Sequence, residues 1–187
     1  MADDFLGDRR KALEDSFFAR ENQKLLNRMR TERERANAIE ALARQTQIKD
    51  TAVLEKLVDL GIDPATWAAL SLVPLVEVAW ADGEVQRRER EAIMAAAAEQ
   101  GITKGSSSFG LLESWLAQRP SATLFATWGE YSVELASKLE PAERRALRED
   151  LIERARKVAE TAGGFLGIGS VSEAEERVLA ELEKPFA

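Results

Sequence analysis

Four carboxylates crowd one tight turn of this chain: Glu77, Asp82, Glu84 and Glu89, within VEVAWADGEVQRRERE. Carboxylate oxygens are what a hard divalent cation such as calcium takes, usually six to eight oxygens in all. Glu89 has a second role open to it. Standing three residues after Gln86, it can reach back to the Gln86 backbone N–H and cap the helix that begins there. The residue types that are missing narrow the chemistry further. The chain has no cysteine and no histidine, which removes disulfides, thiolate chemistry, Cys/His zinc sites and every Ser-His or Cys-His nucleophile. Paired carboxylates or a Schiff-base lysine would need a pocket to work in. The chain reads as non-enzymatic, and a divalent cation is the one cofactor its residues suggest.

The spacing around the turn matches half of an EF-hand loop, which has Gly at its sixth place, an apolar residue two later and a bidentate Glu at its twelfth. Gly83, Val85 and Glu89 keep that spacing, with Asp82 fifth, but Val78 and Trp80 occupy the first and third places, where oxygen ligands belong. The loop is not an EF-hand, and Glu77 would have to help complete a partial site of Glu77, Asp82, Glu84 and Glu89. The elements that position these acids follow from pattern. Ala65 to Ala81 carries one ionisable side chain, Glu77; a helix apolar on every face is one surrounded by others. Pro74 inside it should kink or split it and free a carbonyl near Leu70. With Pro74 and Glu77 interrupting it, the stretch is too short to span a membrane. Asp82-Gly83 makes the turn, because Gly takes positive φ without steric cost and Asp bonds its own following backbone. Gln86 to Glu99 is the next helix, with Ile93 and Met94 its largest apolar side chains.

A second copy of the turn follows later, in GGFLGIGSVSEAEE. Aligning Val85 with Val171 puts Gly83 on Gly169, Glu89 on Glu175 and Ile93 on Leu179, so the chain is an internal duplication. Asp82 becomes Ile168 and Glu84 becomes Ser170, while Ser172 and Glu175 form a capping box. Both copies keep a turn and a cap; only the first keeps the acids. These two stretches resemble the TerB family, the tellurite-resistance B proteins and their relatives, over roughly residues 63–183. The resemblance implies an all-α helical bundle of two pseudo-repeated halves, with a metal-binding role at the acidic turn on Asp82, Glu84 and Glu89.

Residues 1 to about 45 form a separate unit, dense in alternating charge and without glycine or proline after Gly7. It reads as a long, mostly solvated helix. Its apolar residues form narrow sets: Leu6, Leu13 and Phe17, then Phe18, Leu25 and Met29, with Leu26 beside them. Two adjacent phenylalanines on so charged a helix call for a cover, either the bundle or a partner's groove entered in the helix-in-groove mode. The candidate contacts are Leu13, Phe17, Phe18, Leu25, Leu26 and Met29. Leu6 to Leu26 also resembles the inhibitory segment of the ATP synthase inhibitor proteins, with Gly7, Arg9, Ala12, Glu14, Phe17 and Phe18 in step without a gap. That resemblance implies a helix that enters the ATP synthase catalytic head and blocks ATP hydrolysis. Leu6 stands where that family has an aromatic, and without histidine no imidazole can regulate the helix by pH.

Along the rest of the chain, Ile39 to Leu60 suggests one or two short helices ending at Gly61, and Asp63-Pro64 an N-cap followed by Pro at the first helical position. Gly101 to Gly110 reads as a flexible loop separating the repeats. Short helices then follow at Leu111 to Ala117 and from Pro120-Ser121 to about Leu139. Another starts at Glu140-Pro141 with the stripe Leu147, Leu151, Ala155 and Val158, and a last one runs from Ser172 to about Glu183. Gly164 to Gly169 has the glycine spacing of a phosphate loop, but Ser170 replaces the required lysine. Trp67, Trp80, Trp115 and Trp128 sit in apolar segments and read as core residues rather than stacking platforms. A net charge of −7 over 187 residues argues against nucleic acid as a partner, and the acidic start lacks the pattern of a signal peptide. The expectation is a cytoplasmic, non-membrane-spanning protein: a charged N-terminal helix over residues 1–45, a bundle over 46–187, and a regulatory role through a protein partner. The alternative is a metal- or tellurite-stress protein using Asp82 to Glu89.

Overall fold

The computed structural model describes residues 2–46, 48–162 and 171–187, with side chains described from Ser16 onward. The described residues form eight α-helices and two short 3-10 turns, without strands. In order these are α1 (Ala2–Thr46), α2 (Thr51–Asp59), a 3-10 turn (Trp67–Leu72), α3 (Val73–Ala79), α4 (Arg87–Glu99), α5 (Ser107–Ala117), α6 (Ala122–Ala136), α7 (Pro141–Ala162), α8 (Glu173–Glu183) and a closing 3-10 turn (Lys184–Phe186). The molecule is an all-α helical bundle.

At its centre is α3, packed against α4, α6, α7 and α8. Six of its seven residues are buried, Glu77 alone being half-exposed. Proline decides where this helix begins. The apolar segment does split, as Pro74 requires: Trp67–Leu72 winds as a 3-10 turn and Pro74 takes a first-turn position of α3, where a missing N–H costs nothing. The Leu70 carbonyl is not left free, because the Val73 N–H donates to it in the tighter 3-10 pattern. Asp63 caps as expected, its Oδ1 accepting from the Ala65 and Thr66 amides at 2.8 and 2.9 Å. What it opens is a turn over residues 64–66 that leads into the 3-10 segment rather than a continuous helix.

Two other boundaries differ from the sequence reading. Ile39 and Leu42 belong to α1, which runs unbroken to Thr46, because nothing between Arg33 and Thr46 breaks a helix. The serine-rich loop ends earlier: Ser106 accepts from the Phe109 amide at 3.2 Å and caps α5, so Ser107 to Gly110 are its first turn rather than linker. The remaining helices fall close to their expected places, with Ser121 and Ser172 as N-caps. Several aligned positions of the two stretches are buried in both. Ala69, Leu72 and Val73 are buried where Ala155, Val158 and Ala159 are, and Ile93 where Leu179 is. Gly164 to Ser170 lie outside the described residues. Trp115 and Trp128 are core; Trp67 and Trp80 are half-buried, and Trp80 Nε1 donates to the Trp115 carbonyl at 2.8 Å.

The far end of the bundle holds α1. Leu42, Ile48 and Leu54 form a small second core with Ile39, Ala43, Val58, Trp67 and Tyr131 around it. Arg35 grips Asp59 of α2 with two hydrogen bonds of 2.8 and 3.0 Å. Lys56 pairs α2 to Glu130 of α6 at 2.6 Å. Beneath the α1–α2 corner, Glu134 of α6 accepts from the Lys49 amide and from Lys138 Nζ, both at 2.9 Å. Burial pushes that carboxyl up, but these donors outweigh it and hold it below its ordinary range. No described helix is long and apolar enough to cross a membrane.

Candidate functional site

At the acidic turn the backbone does what its residues dictate. Gly83 has φ +102° and Asp82 Oδ1 accepts from the Glu84 amide at 3.2 Å. Three residues further on, Gln86 caps α4 and Glu89 turns back, its Oε2 accepting from the Gln86 N–H at 2.7 Å. The capping box of the second half repeats it, with Glu175 Oε2 accepting from the Ser172 N–H at 2.6 Å and Ser172 Oγ from the Glu175 N–H at 3.2 Å. Of the two roles open to Glu89 from sequence, capping is the one its geometry fulfils.

Both capping carboxylates are buried, Glu89 at 1% and Glu175 at 5% exposure. Burial pushes the Glu89 carboxyl up to about 7; the Gln86 N–H pulls the other way, and the neighbouring charges of Asp82, Glu175 and Glu84 add to the rise. Sequence alignment paired Glu89 with Glu175, but not that the fold brings them within electrostatic reach of one another. Glu77 takes no part in this group. Its partner is Arg119, at 3.8 Å, and burial raises its carboxyl despite that cation. Asp82 and Glu84 are exposed. Among the described residues no group of three or more acidic side chains is arranged to hold a metal ion, so Glu77, Asp82, Glu84 and Glu89 are neighbours in sequence without forming a cage. The nearby arginines are engaged as a solvated face: Arg87 pairs with Glu91 at 2.8 Å, and Arg90 approaches Glu113 at 3.9 Å.

The second candidate region is the projecting part of α1. Every side chain from Ser16 to Glu34 is exposed, a length of about 28 Å at 1.5 Å per residue. Phe17, Phe18, Leu25, Leu26 and Met29 are 55–63% exposed, and they account for all but Val133 of the large exposed apolar side chains among the described residues. At 100° per residue, Phe18, Leu25 and Met29 fall within roughly 40° of one another, while Phe17 and Leu26 lie roughly 80–100° to either side of that line. Phe17 and Phe18 meet edge to face, centroids 5.9 Å apart. The helix around them is supported by its own pairs, Lys24 with Glu21 and Arg30 with Glu34. The side chain of Leu13 lies outside the described residues. Of the two covers open to the phenylalanines, the bundle does not supply one. The Arg35 clamp and the Trp67–Tyr131 seat escape a reading of the sequence, because each joins positions far apart in the chain.

No family model matches the chain, and no curated protein or solved structure matches it either.

Proposed function

We propose that the chain is a non-enzymatic interaction protein whose N-terminal helix inserts its apolar stripe into a groove of a protein partner, while the bundle anchors the helix at its other end. The observation that carries this reading is the exposure of Phe17, Phe18, Leu25, Leu26 and Met29 on one projecting helix. Apolar side chains scattered singly over a surface need no explanation, but Phe18, Leu25 and Met29 on one line, with Phe17 and Leu26 exposed to either side of it, do. Anchors repeated at seven and four residues are the form in which a helix is read by a groove. The candidate partner is the ATP synthase catalytic head, on the likeness of residues 6–26 to its inhibitor proteins, and inhibition of ATP hydrolysis is the activity that goes with it. The TerB-like bundle would then act as anchor or regulator.

The test is ATP hydrolysis by the isolated catalytic head of the host organism's ATP synthase, titrated with the full chain and with the Phe17→Ala/Phe18→Ala double variant. Inhibition by the native chain and none by the variant supports the proposal. Absence of inhibition, or equal inhibition by both, rejects the ATP synthase as partner. The cation-binding alternative has its own measurement: a calcium-induced rise in melting temperature that disappears in Asp82→Ala would favour it. Glu89, which that reading needs as a ligand, is already engaged with the Gln86 amide.

A further inference from the structure

Away from the acidic turn and the α1 stripe, the described residues enclose a cavity of about 310 Å³ between the Trp67–Leu72 turn, α6, α7 and the closing turn Lys184–Phe186. Small-molecule sites begin at roughly this size. The inner wall is apolar, with Leu70, Leu75, Trp128 and Phe186 buried and Trp67 and Tyr131 half-buried. Its rings stand at different angles to the same space. Trp67 and Tyr131 meet edge to face at 5.3 Å, and Trp128 and Phe186 are tilted by 60° at 6.5 Å. Rings so disposed accept a further ring by its edge or by an offset face. Polar groups are few. Ser132, 2% exposed, brings a hydroxyl to the wall, and Ser71, bonded to Gln100, stands with it at the mouth.

Charge decides the class of ligand. Among the described residues, the only charged ones lining the cavity are Asp150 and Arg154, and they are bonded to each other, Arg154 Nε and Nη2 donating to Asp150 Oδ1 at 3.1 and 2.9 Å. An ionic ligand would lose its hydration inside without meeting an unpaired counter-charge. We infer that the cavity binds an uncharged aromatic molecule of one or two rings, small enough for about 310 Å³, carrying a hydroxyl or amide that bonds near Ser132 or at the mouth. None of the residues lining the site belongs to α1.

Calorimetric titration of the full chain with three bicyclic probes at neutral pH tests this: 2-naphthol, 2-naphthoate and the saturated decahydro-2-naphthol. The expected result is that 2-naphthol binds at least about ten-fold more tightly than either of the others. Leu147→Trp fills the cavity from α7, and Ser71→Trp narrows its mouth from an exposed position that tolerates bulk; each weakens 2-naphthol by about ten-fold or more. Thermal unfolding identifies which variant is folded and can be read. Equal or tighter binding of 2-naphthoate overturns the assignment of charge, and equal binding of the saturated alcohol overturns the aromatic preference. Unchanged affinity in a folded filling variant places the binding elsewhere. No heat of binding at millimolar 2-naphthol overturns the site itself.

Discussion

Replacing Glu89 by Gln should remove a pH dependence of stability that the native chain carries. Glu89 is 1% exposed, its carboxyl is raised from 4.5 to about 7, and burial is the largest cause. Between those two values the folded protein holds a proton that the unfolded chain has released, so stability falls as pH rises through the window and is flat outside it. At 1.36 kcal/mol per pKa unit the ceiling is about 3 kcal/mol. Water reaches the turn beside the exposed Asp82 and Glu84, which brings the expected loss to about 2 kcal/mol. Gln keeps the volume and an oxygen for the Gln86 N–H, but carries no charge. The two proteins should therefore match near pH 5 and diverge by about 2 kcal/mol at pH 8, with Glu89→Gln the more stable. For a chain of this size that is a difference of roughly 4–8 °C in melting temperature. The window is clean because the chain has no histidine, and Glu77, also raised by burial, is common to both proteins. Urea unfolding followed by circular dichroism at four pH values is sufficient. Parallel curves, with a difference constant to within about 0.5 kcal/mol, would refute the burial argument.

Other substitutions probe the frame around that turn. Gly83→Ala meets no atom within 4 Å of the new Cβ, so its cost of about 1–2 kcal/mol is backbone strain at φ +102°; Gly129→Ala inside α6, equally open and without positive φ, should instead stabilise by about 0.5–1 kcal/mol. A urea midpoint distinguishes the two signs. Ile93→Ala and Leu179→Ala remove corresponding buried side chains of the two halves, and each should cost about 2–5 kcal/mol in the same assay. Phe17→Ala/Phe18→Ala should leave unfolding unchanged within about 0.5 kcal/mol while abolishing partner retention, since both rings are exposed.

How much of this was legible without coordinates depended on whether the signal was local. Starts written in capping residues were readable: Asp63 at its turn, Ser172 with Glu175, and Glu89 reaching back to Gln86 are pairs within three residues. The burial of α3 followed from a stretch in which Glu77 was the one ionisable side chain. Local signals failed where two of them competed. Ser106 to Ser108 carried loop composition and cap chemistry together, and the cap prevailed. The four acids near Gly83 suggested a ligand set, yet the helical geometry sends Glu77 towards Arg119 and Glu89 back to the backbone. The cavity was invisible to periodicity, since its walls come from residues as far apart as Trp67 and Phe186.

The ring pair Trp67–Tyr131 belongs to two places at once. On one side it supports Leu42 and Ile48 at the foot of α1, and on the other it walls the cavity. Any molecule whose presence in the cavity changes the free energy of that ring pair must change the docking free energy of the helix foot by a coupled amount. By thermodynamic reciprocity, docking the foot then alters the molecule's affinity by the same factor. Through those two shared side chains, such a molecule would link the helix foot and the cavity, and the sign of that linkage could be obtained from either end.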